Sequence, residues 1–314
     1  MKRHMYVLVG VVTLFQISSA QITALQPAAG PSLGIIQCFA TSSGGTLFSG
    51  VFGEGVFTSV DQAASWETAS NGLTNTNVLA LVGARTGDVF AGTFGGGVFR
   101  TADGGVSWWE ANNGLTNREV TALATGSDDA MYAGTAQGGV FRSEDMGEWW
   151  TPVGLAGMFI NSLVVMPSGD VIAAASGNGV FVLRENIWEC VYQGKLRNDV
   201  LDIAVNSEGY IFLASNGRGV LRSIDGGRVW MEVNVGLTDL FAGTFALTQH
   251  DELLVGTSKG VYHSINGGKS WSKVQCNQQI SSIRCLSAGM QGRVFAGTHE
   301  GKVLRSVPLD VSMR

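Results

Sequence analysis

The chain has 314 residues, 45% of them apolar, with 25 acidic against 20 basic side chains, four cysteines and 44 glycines. A net charge of −5 with no run of one sign argues against nucleic acid or an anionic membrane as partner. Glycine at about twice its usual share of roughly 7% points to a turn-rich β protein, and no stretch of a dozen residues carries a convincing helical period.

In chain order, residues 1–20 read as an export signal: Lys2 and Arg3, an apolar run from Tyr6 to Phe15, then the small residues Ser18, Ser19 and Ala20. The run is too short to span a bilayer, so we expect cleavage before Gln21, no stable membrane insertion and a periplasmic, extracellular or cell-surface location. Residues 21–34 form an N-terminal segment, and everything from 35 to 314 is repeat. The repeat is clearest as GVFRTADGGVSW from Gly97. It returns as GVFTSVDQAASW, GVFRSEDMGEWW, GVLRSIDGGRVW and GVYHSINGGKSW, with a worn copy, GVFVLRENIW, between them. The opening glycines fall at 55, 97, 139, 179, 219 and 260, and a seventh copy, KVLRS from Lys302, lacks its second half. A period near 42 residues with several short strands predicts an all-β fold, a single seven-bladed β-propeller of four-stranded antiparallel blades.

The second copy guides the strand assignment: Val78 to Val82 innermost, Val89 to Thr93 next, Val98 to Thr101 third and Ser107 to Ala111 outermost. Aligned innermost strands place Cys38, Ala80, Ala122, Ser162, Asp202, Thr244 and Cys285 in one column, small residues where strands crowd the axis. Asp202 is the one charge among them, a structural acid or one that faces a ligand in the channel. The last repeat supplies three strands, and Ile22 to Gln26 is the candidate for a fourth. The rival is Leu309 to Ser312 from the tail. Four exported cysteines, Cys38, Cys190, Cys276 and Cys285, allow three disulfide pairings; Cys276 and Cys285 are nearest in sequence. No CxxC or His-x-His spacing gathers metal ligands, and neither a metal nor a cofactor is expected.

The turn after five of the third strands has a fixed pattern: Thr101-x-Asp103-Gly-Gly105-x-x-Trp108, then Ser143-x-Asp145 to Trp150, Ser223-x-Asp225 to Trp230, Ser264-x-Asn266 to Trp271, and Ser59-x-Asp61 to Trp66 without its glycine, while the copy around Glu185 has lost it. These residues resemble the Asp-box, or BNR, repeat of sialidases, sortilin-type receptors, xyloglucanases and photosystem II assembly factors. The linkers Asn71-Gly-Leu-Thr-Asn75, Asn113-Gly-Leu-Thr-Asn117 and Gly236-Leu-Thr238 are similar to those of exported two-component sensor propellers. The resemblance covers nearly the whole chain after the leader. It implies a propeller in which the Asp-box is a structural turn on the face away from the functional one.

Catalytic patterns find little support. Gly256-Thr-Ser258-Lys-Gly260 has the form of a nucleophile elbow but lacks the strand-to-helix context, and reads as a hairpin. His263 takes the position of Arg100, Arg142 and Arg222, read as an exposed third-strand site. The arginine triad, tyrosine nucleophile and early Arg-Ile-Pro motif of sialidases are not evident, and those enzymes have six blades; xyloglucanases need two propellers. Convergence of Glu54, Asp202, Asp239 and Glu300 would make a glycoside hydrolase of some other kind.

No catalytic residue is assigned. The variable positions lie in the hairpins between second and third strands (Phe52, Glu54, Phe94, Gln137, Asn178, Asn216, Arg218, Lys259, His299, Glu300) and in the linkers between blades (Arg118, Phe159, Lys195, Arg197, Asp239, Phe241). Exposed phenylalanines beside arginines and carboxylates suit a sugar or a peptide loop. The expected protein is an exported, monomeric, non-enzymatic recognition or assembly module for a glycan or protein partner. Alternatives are a glycoside hydrolase on the same face and the ligand-sensing propeller of a signalling system.

Overall fold

The computed structural model describes residues 22, 24–31, 34–194, 200–277, 280, 282–289 and 292–307; the leader, Lys195, Arg197 and the tail strand Leu309 to Ser312 lie outside the described residues. Seven sheets, antiparallel but for one strand pair, follow one another along the chain, and no described residue is in an α-helix. Blade 2 shows the plan: Val78–Gly83 innermost, then Val89–Thr93, Gly97–Thr101 and a two-residue outer strand, Trp109–Glu110, each hydrogen-bonded to the one before. The second strand of every blade is buried along its whole length. This is why those strands read as continuous apolar runs such as VFAGT rather than as an alternation.

The core is not one mass but a layer between each pair of neighbouring blades. Ala40, Phe48 and Val56 of blade 1 pack on Val78, Leu81, Val89, Phe99 and Trp108 of blade 2, and equivalent clusters fill the other junctions. At six of the seven junctions a tryptophan indole donates to a carbonyl in, or just after, the outer strand of the preceding blade. Trp66 reaches Ala29 (2.8 Å), Trp108 Ala69 (2.7 Å), Trp150 Ala111 (2.8 Å), Trp188 Val153 (2.9 Å), Trp230 Val191 (2.9 Å) and Trp271 Val233 (2.7 Å). The seventh junction has a backbone device instead. Strand Ala24–Ala28 pairs antiparallel with Val303–Ser306 as the outer strand of the last blade, and its other edge runs parallel to Gln275–Cys276 beside blade 6.

The glycine-leucine-threonine linkers have a steric cause. Gly72 (φ 88°) lies against the backbone of the next blade's tryptophan, where a Cβ would sit 2.1 Å from the Trp108 carbonyl oxygen; Gly114 and Gly236 meet Trp150 and Trp271 in the same way. The Asp-box turns are closed by their own side chains. The Thr101 hydroxyl donates to Asp103 (2.7 Å) and accepts from the Gly105 amide (3.0 Å), while the Ser107 amide and hydroxyl both donate to Asp103. These donors, the Ser107 hydroxyl foremost, hold the Asp103 carboxyl down at about 2, and the Ser65 hydroxyl likewise lowers that of Asp61. In blade 6, Asn266 makes the same turn with an amide. Blade 4 dispenses with the box and joins Gly179–Arg184 to Ile187–Tyr192 by a two-residue turn, Glu185 and Asn186, both at positive φ.

The arginine column of the third strands closes this face. Arg100 donates to the Met146 carbonyl, Arg222 to Gly267 and Arg305 to Gln62, each capping the Asp-box turn of the following blade. Blades 4 and 7 have no such turn, and the column residue before each behaves differently. Arg142 turns to Glu144 (2.8 Å), and His263 is buried against Glu252 (3.6 Å). This corrects the expectation of an exposed His263: with no turn to cap, the side chain packs inside its own blade, and burial lowers the imidazole's proton affinity. The cysteines also correct the sequence reading. All four are free thiols, and Cys276 and Cys285 lie on opposite edge strands of one five-stranded sheet. Four strand spacings of about 4.8 Å separate them, beyond the reach of a disulfide.

Candidate functional site

The face opposite the Asp-boxes is built by hairpins clasping linkers. In blade 1 the Gly53 and Gly55 amides donate to the Thr76 carbonyl, the last linker turn before blade 2; Gly95 and Gly97 do the same to Arg118, and Gly217 and Gly219 to Leu240. Beside each clasp runs a single bridge between hairpin and neighbouring linker: Phe52 with Asn77, Phe94 with Glu119, Ala136 with Phe159, and Asn216 with Phe241. Side chains at the bridges therefore have fixed backbones and solvent in front. Phe52, Phe94, Phe159 and Phe241 are 40–58% exposed, apolar groups held out rather than tucked in.

Inside this rim the central channel opens into a cavity of about 560 Å³. Its walls follow from an irregularity shared by all seven innermost strands: the ladder slips by one residue between Ile36 and Cys38, and at the matching place in every other blade. A bulge leaves one residue unpaired and re-aims its side chain. The residues at the slip are Gln37, Leu79, Thr121, Asn161, Leu201, Gly243 and Arg284, and all line the cavity. The column read from sequence lies one residue further on. Ala122, Ser162, Thr244 and Cys285 in it are buried, although Cys38, Asp202, Thr244 and Cys285 still touch the cavity, and burial pushes the Cys285 thiol up to about 12.

Asp202 belongs to that second column, and its carboxylate is spent on structure. One oxygen accepts from the Ser162 hydroxyl of blade 4 and the Ile203 amide, and the other from the Phe245 amide of blade 6, each at 2.8 Å. Three consecutive blades are tied at one side chain. Burial raises its pKa despite these bonds. Asp239 is likewise withdrawn. It is 3% exposed and accepts from Ser258 (2.7 Å) and the Phe241 amide (3.2 Å), stapling the linker to the hairpin of blade 6. Burial pushes its carboxyl up, but these bonds together outweigh burial and hold it below the usual range.

Of the residues proposed from sequence, the cavity gathers Phe159, Asp202, Asn216, Phe241 and His299. Phe52 and Phe94 share the face but not the cavity wall. Arg118 pairs with Glu110 (3.2 Å), and Arg218 with Glu232 (2.7 Å) and the Tyr192 hydroxyl (2.6 Å), both away from the axis. Glu300 pairs with Lys302 (3.0 Å), while Glu54 and Lys259 stand exposed on hairpin tips. Of the four carboxylates considered for a glycosidase, Asp202 and Asp239 are hydrogen-bonded into the fold, and Glu54 and Glu300 sit on the hairpins of blades 1 and 7. Sequence reasoning missed Arg284. Its signal was present, a charged side chain at a position otherwise Gln, Leu, Thr, Asn, Leu and Gly, but it appears only once the bulge is recognised.

Comparison with known proteins agrees on architecture. A family model described as photosynthesis system II assembly factor YCF48 matches residues 180–284. No curated protein sequence matches the chain. Among solved structures, one described as YCF48 bound to D1 peptide is 16% identical with a TM-score of 0.71, covering 94% of this chain and 98% of that one. YCF48 from Cyanidioschyzon merolae is 15% identical, TM-score 0.69, over 92% of this chain and all of the other. The extracellular domain of the hybrid two-component system BT4673 from B. thetaiotaomicron is 15% identical with a TM-score of 0.70. It is matched over 90% of this chain, which spans only 39% of the length of that domain.

Proposed function

For this BNR-type seven-bladed propeller we propose the role of an exported binding module that takes an extended segment of a protein partner across the mouth of its channel. The observation that carries the reading is the rim: Phe159 and Phe241, 40% and 58% exposed, are fixed at equivalent linker positions of blades 4 and 6 over a polar-walled cavity. Two rigid aromatic rings flanking Asn216 suit the alternating side chains of an extended peptide, with the ring faces supplying area at little entropic cost. The similarity to a propeller whose solved complex holds a D1 peptide supports a peptide over a sugar. The leader-like residues 1–20 support action outside the cytoplasm.

Selection of a random peptide library against the full chain tests this reading, with a glycan array run in parallel. Enriched peptides should lose at least about tenfold in affinity, roughly 1.4 kcal/mol, in Phe159→Ser/Phe241→Ser, whose melting temperature should stay that of the parent. Glycan binding without peptide enrichment, or peptides indifferent to the double substitution, would replace the reading with a lectin or with another surface.

A further inference from the structure

The Asp-box face has a cleft of its own. Between the turns of blades 5 and 6 lies a cavity of about 510 Å³, walled by Tyr210, Arg222 and Ile224 of blade 5 and by Ile265, Asn266 and Lys269 of blade 6. The other blades show what is unusual about it. Arg100, Arg184 and His263 each face an acid of their own blade set just before its second strand: Asp88 at 2.7 Å, Asp170 at 3.5 Å and Glu252 at 3.6 Å. In blade 5 that place is held by Tyr210, and Arg222 forms no ion pair among the described residues. Across the cleft an acid is missing again. Asp61, Asp103, Asp145 and Asp225 close the other Asp-box turns, but Asn266 closes that of blade 6. Lys269 in the same turn also forms no ion pair among the described residues. Two unrelated positions of the repeat thus lose negative charge around one cleft. The carboxylates that do line it are engaged: Asp251 accepts from the amide and hydroxyl of Ser207, and Glu208 from the Tyr210 hydroxyl.

We infer that this cleft is a second binding site, independent of the channel mouth, and that it takes a uronic acid unit of an acidic glycan. The sugar carboxylate is held by Arg222 and Lys269, and the apolar face of the pyranose ring lies on Tyr210 between Ile224 and Ile265, which are 59% and 48% exposed. Arg222 is steadied for this by its own fold contact, Nη1 donating to the Gly267 carbonyl at 2.6 Å. The volume falls within the roughly 300–1,000 Å³ of small-ligand sites. A ring that carries hydroxyls as well as an acid fits better than a bare anion. Glu208 and Asp251 can accept further hydrogens from hydroxyls, whereas a phosphate or sulfate brings acceptors only and would be opposed by them.

The probes are digalacturonate and its dimethyl ester, titrated into the full chain and followed by NMR at the backbone amides of Ile224, Gly267 and Lys269. The acid should bind at least about tenfold more tightly than the ester. Asn266→Asp installs the residue that the other Asp-box turns carry, so the turn and the melting temperature should survive while the preference for the acid falls at least about threefold. Arg222→Gln should erase the preference, and Tyr210→Phe, which keeps the ring, should leave it in place. Phe159→Ser/Phe241→Ser should change neither affinity. Equal binding of acid and ester, a preference that survives both Asn266→Asp and Arg222→Gln, or no saturable binding of the acid would overturn the inference. Inorganic phosphate binding as tightly as digalacturonate would overturn it in favour of a simple anion site, and tighter binding of N-acetylphenylalanine in favour of an apolar acid. Loss of digalacturonate binding in Phe159→Ser/Phe241→Ser, with the cleft variants silent, would overturn it by moving the sugar to the channel mouth.

Discussion

Asp202 and Asp103 show how differently one residue type is used in this fold, and each makes a pH-dependent prediction of opposite sign. Burial raises the Asp202 pKa in the folded state above its unfolded value. Its contribution to stability is therefore full below the ordinary carboxylate range and is lost as pH rises through the folded pKa. Asp202→Asn removes that titration, so the parent's stability relative to the variant should be greatest near pH 3.5 and shrink by about pH 7, read from paired melts. Asp103, held at about 2 by the Ser107 and Thr101 donors, behaves the other way. Its contribution is present above the unfolded value and fades as pH falls toward 2. Asp103→Asn should be tolerated because Asn266 already closes the same turn, with Oδ1 accepting from Ser270 N and Nδ2 donating to Ser270 Oγ. Asp103→Ala should lower the melting temperature more than Asp103→Asn, and equal losses would show that an amide does not replace the carboxylate in this turn.

At the scale of the element, the unit that matters is the junction rather than the blade. Trp108 is 4% exposed and its indole satisfies a buried carbonyl of the preceding blade. Trp108→Phe keeps most of the apolar contact but orphans the Ala69 carbonyl, which should cost about 1–3 kcal/mol in chemical denaturation. Trp66→Phe should cost less, because that ring is only half-buried and water can replace it. The tryptophans were legible in the sequence because each junction repeats the same chemistry at the same offset, and even the worn fourth copy keeps Trp188 in that role. What periodicity could not show is the place where one residue is inserted without changing the period. The bulge in each innermost strand adds a second lining position, Gln37 beside Cys38 and Arg284 beside Cys285, and so hid the cation. His263 was misread for a related reason: its surroundings depend on whether the next blade has a turn to cap, which a single column does not reveal.

The whole molecule is a ring, and its seam is the one junction without an indole. There the strand Ala24–Ala28 is shared between the last blade and the edge of the sixth, and Leu25 is 2% exposed between them. Leu25→Ala should destabilise by about 2–5 kcal/mol, since both neighbours lose the same buried contact; a loss below about 1 kcal/mol would mean that the ring closes without this strand. A rigid ring also leaves its two faces chemically distinct. Asp-box turns and arginines consume the polar groups on one side, while on the other the hairpins and linkers satisfy each other through backbone bonds and leave side chains facing outward. The most direct test of that division is a hydrogen-exchange footprint of the full chain with a library-selected peptide bound. We predict protection confined to the amides of the hairpins and linkers around Phe159, Asn216 and Phe241, with the Asp-box turns unchanged. Protection on the Asp-box turns, or along the outer strands, would contradict the assignment of the channel mouth as the binding surface.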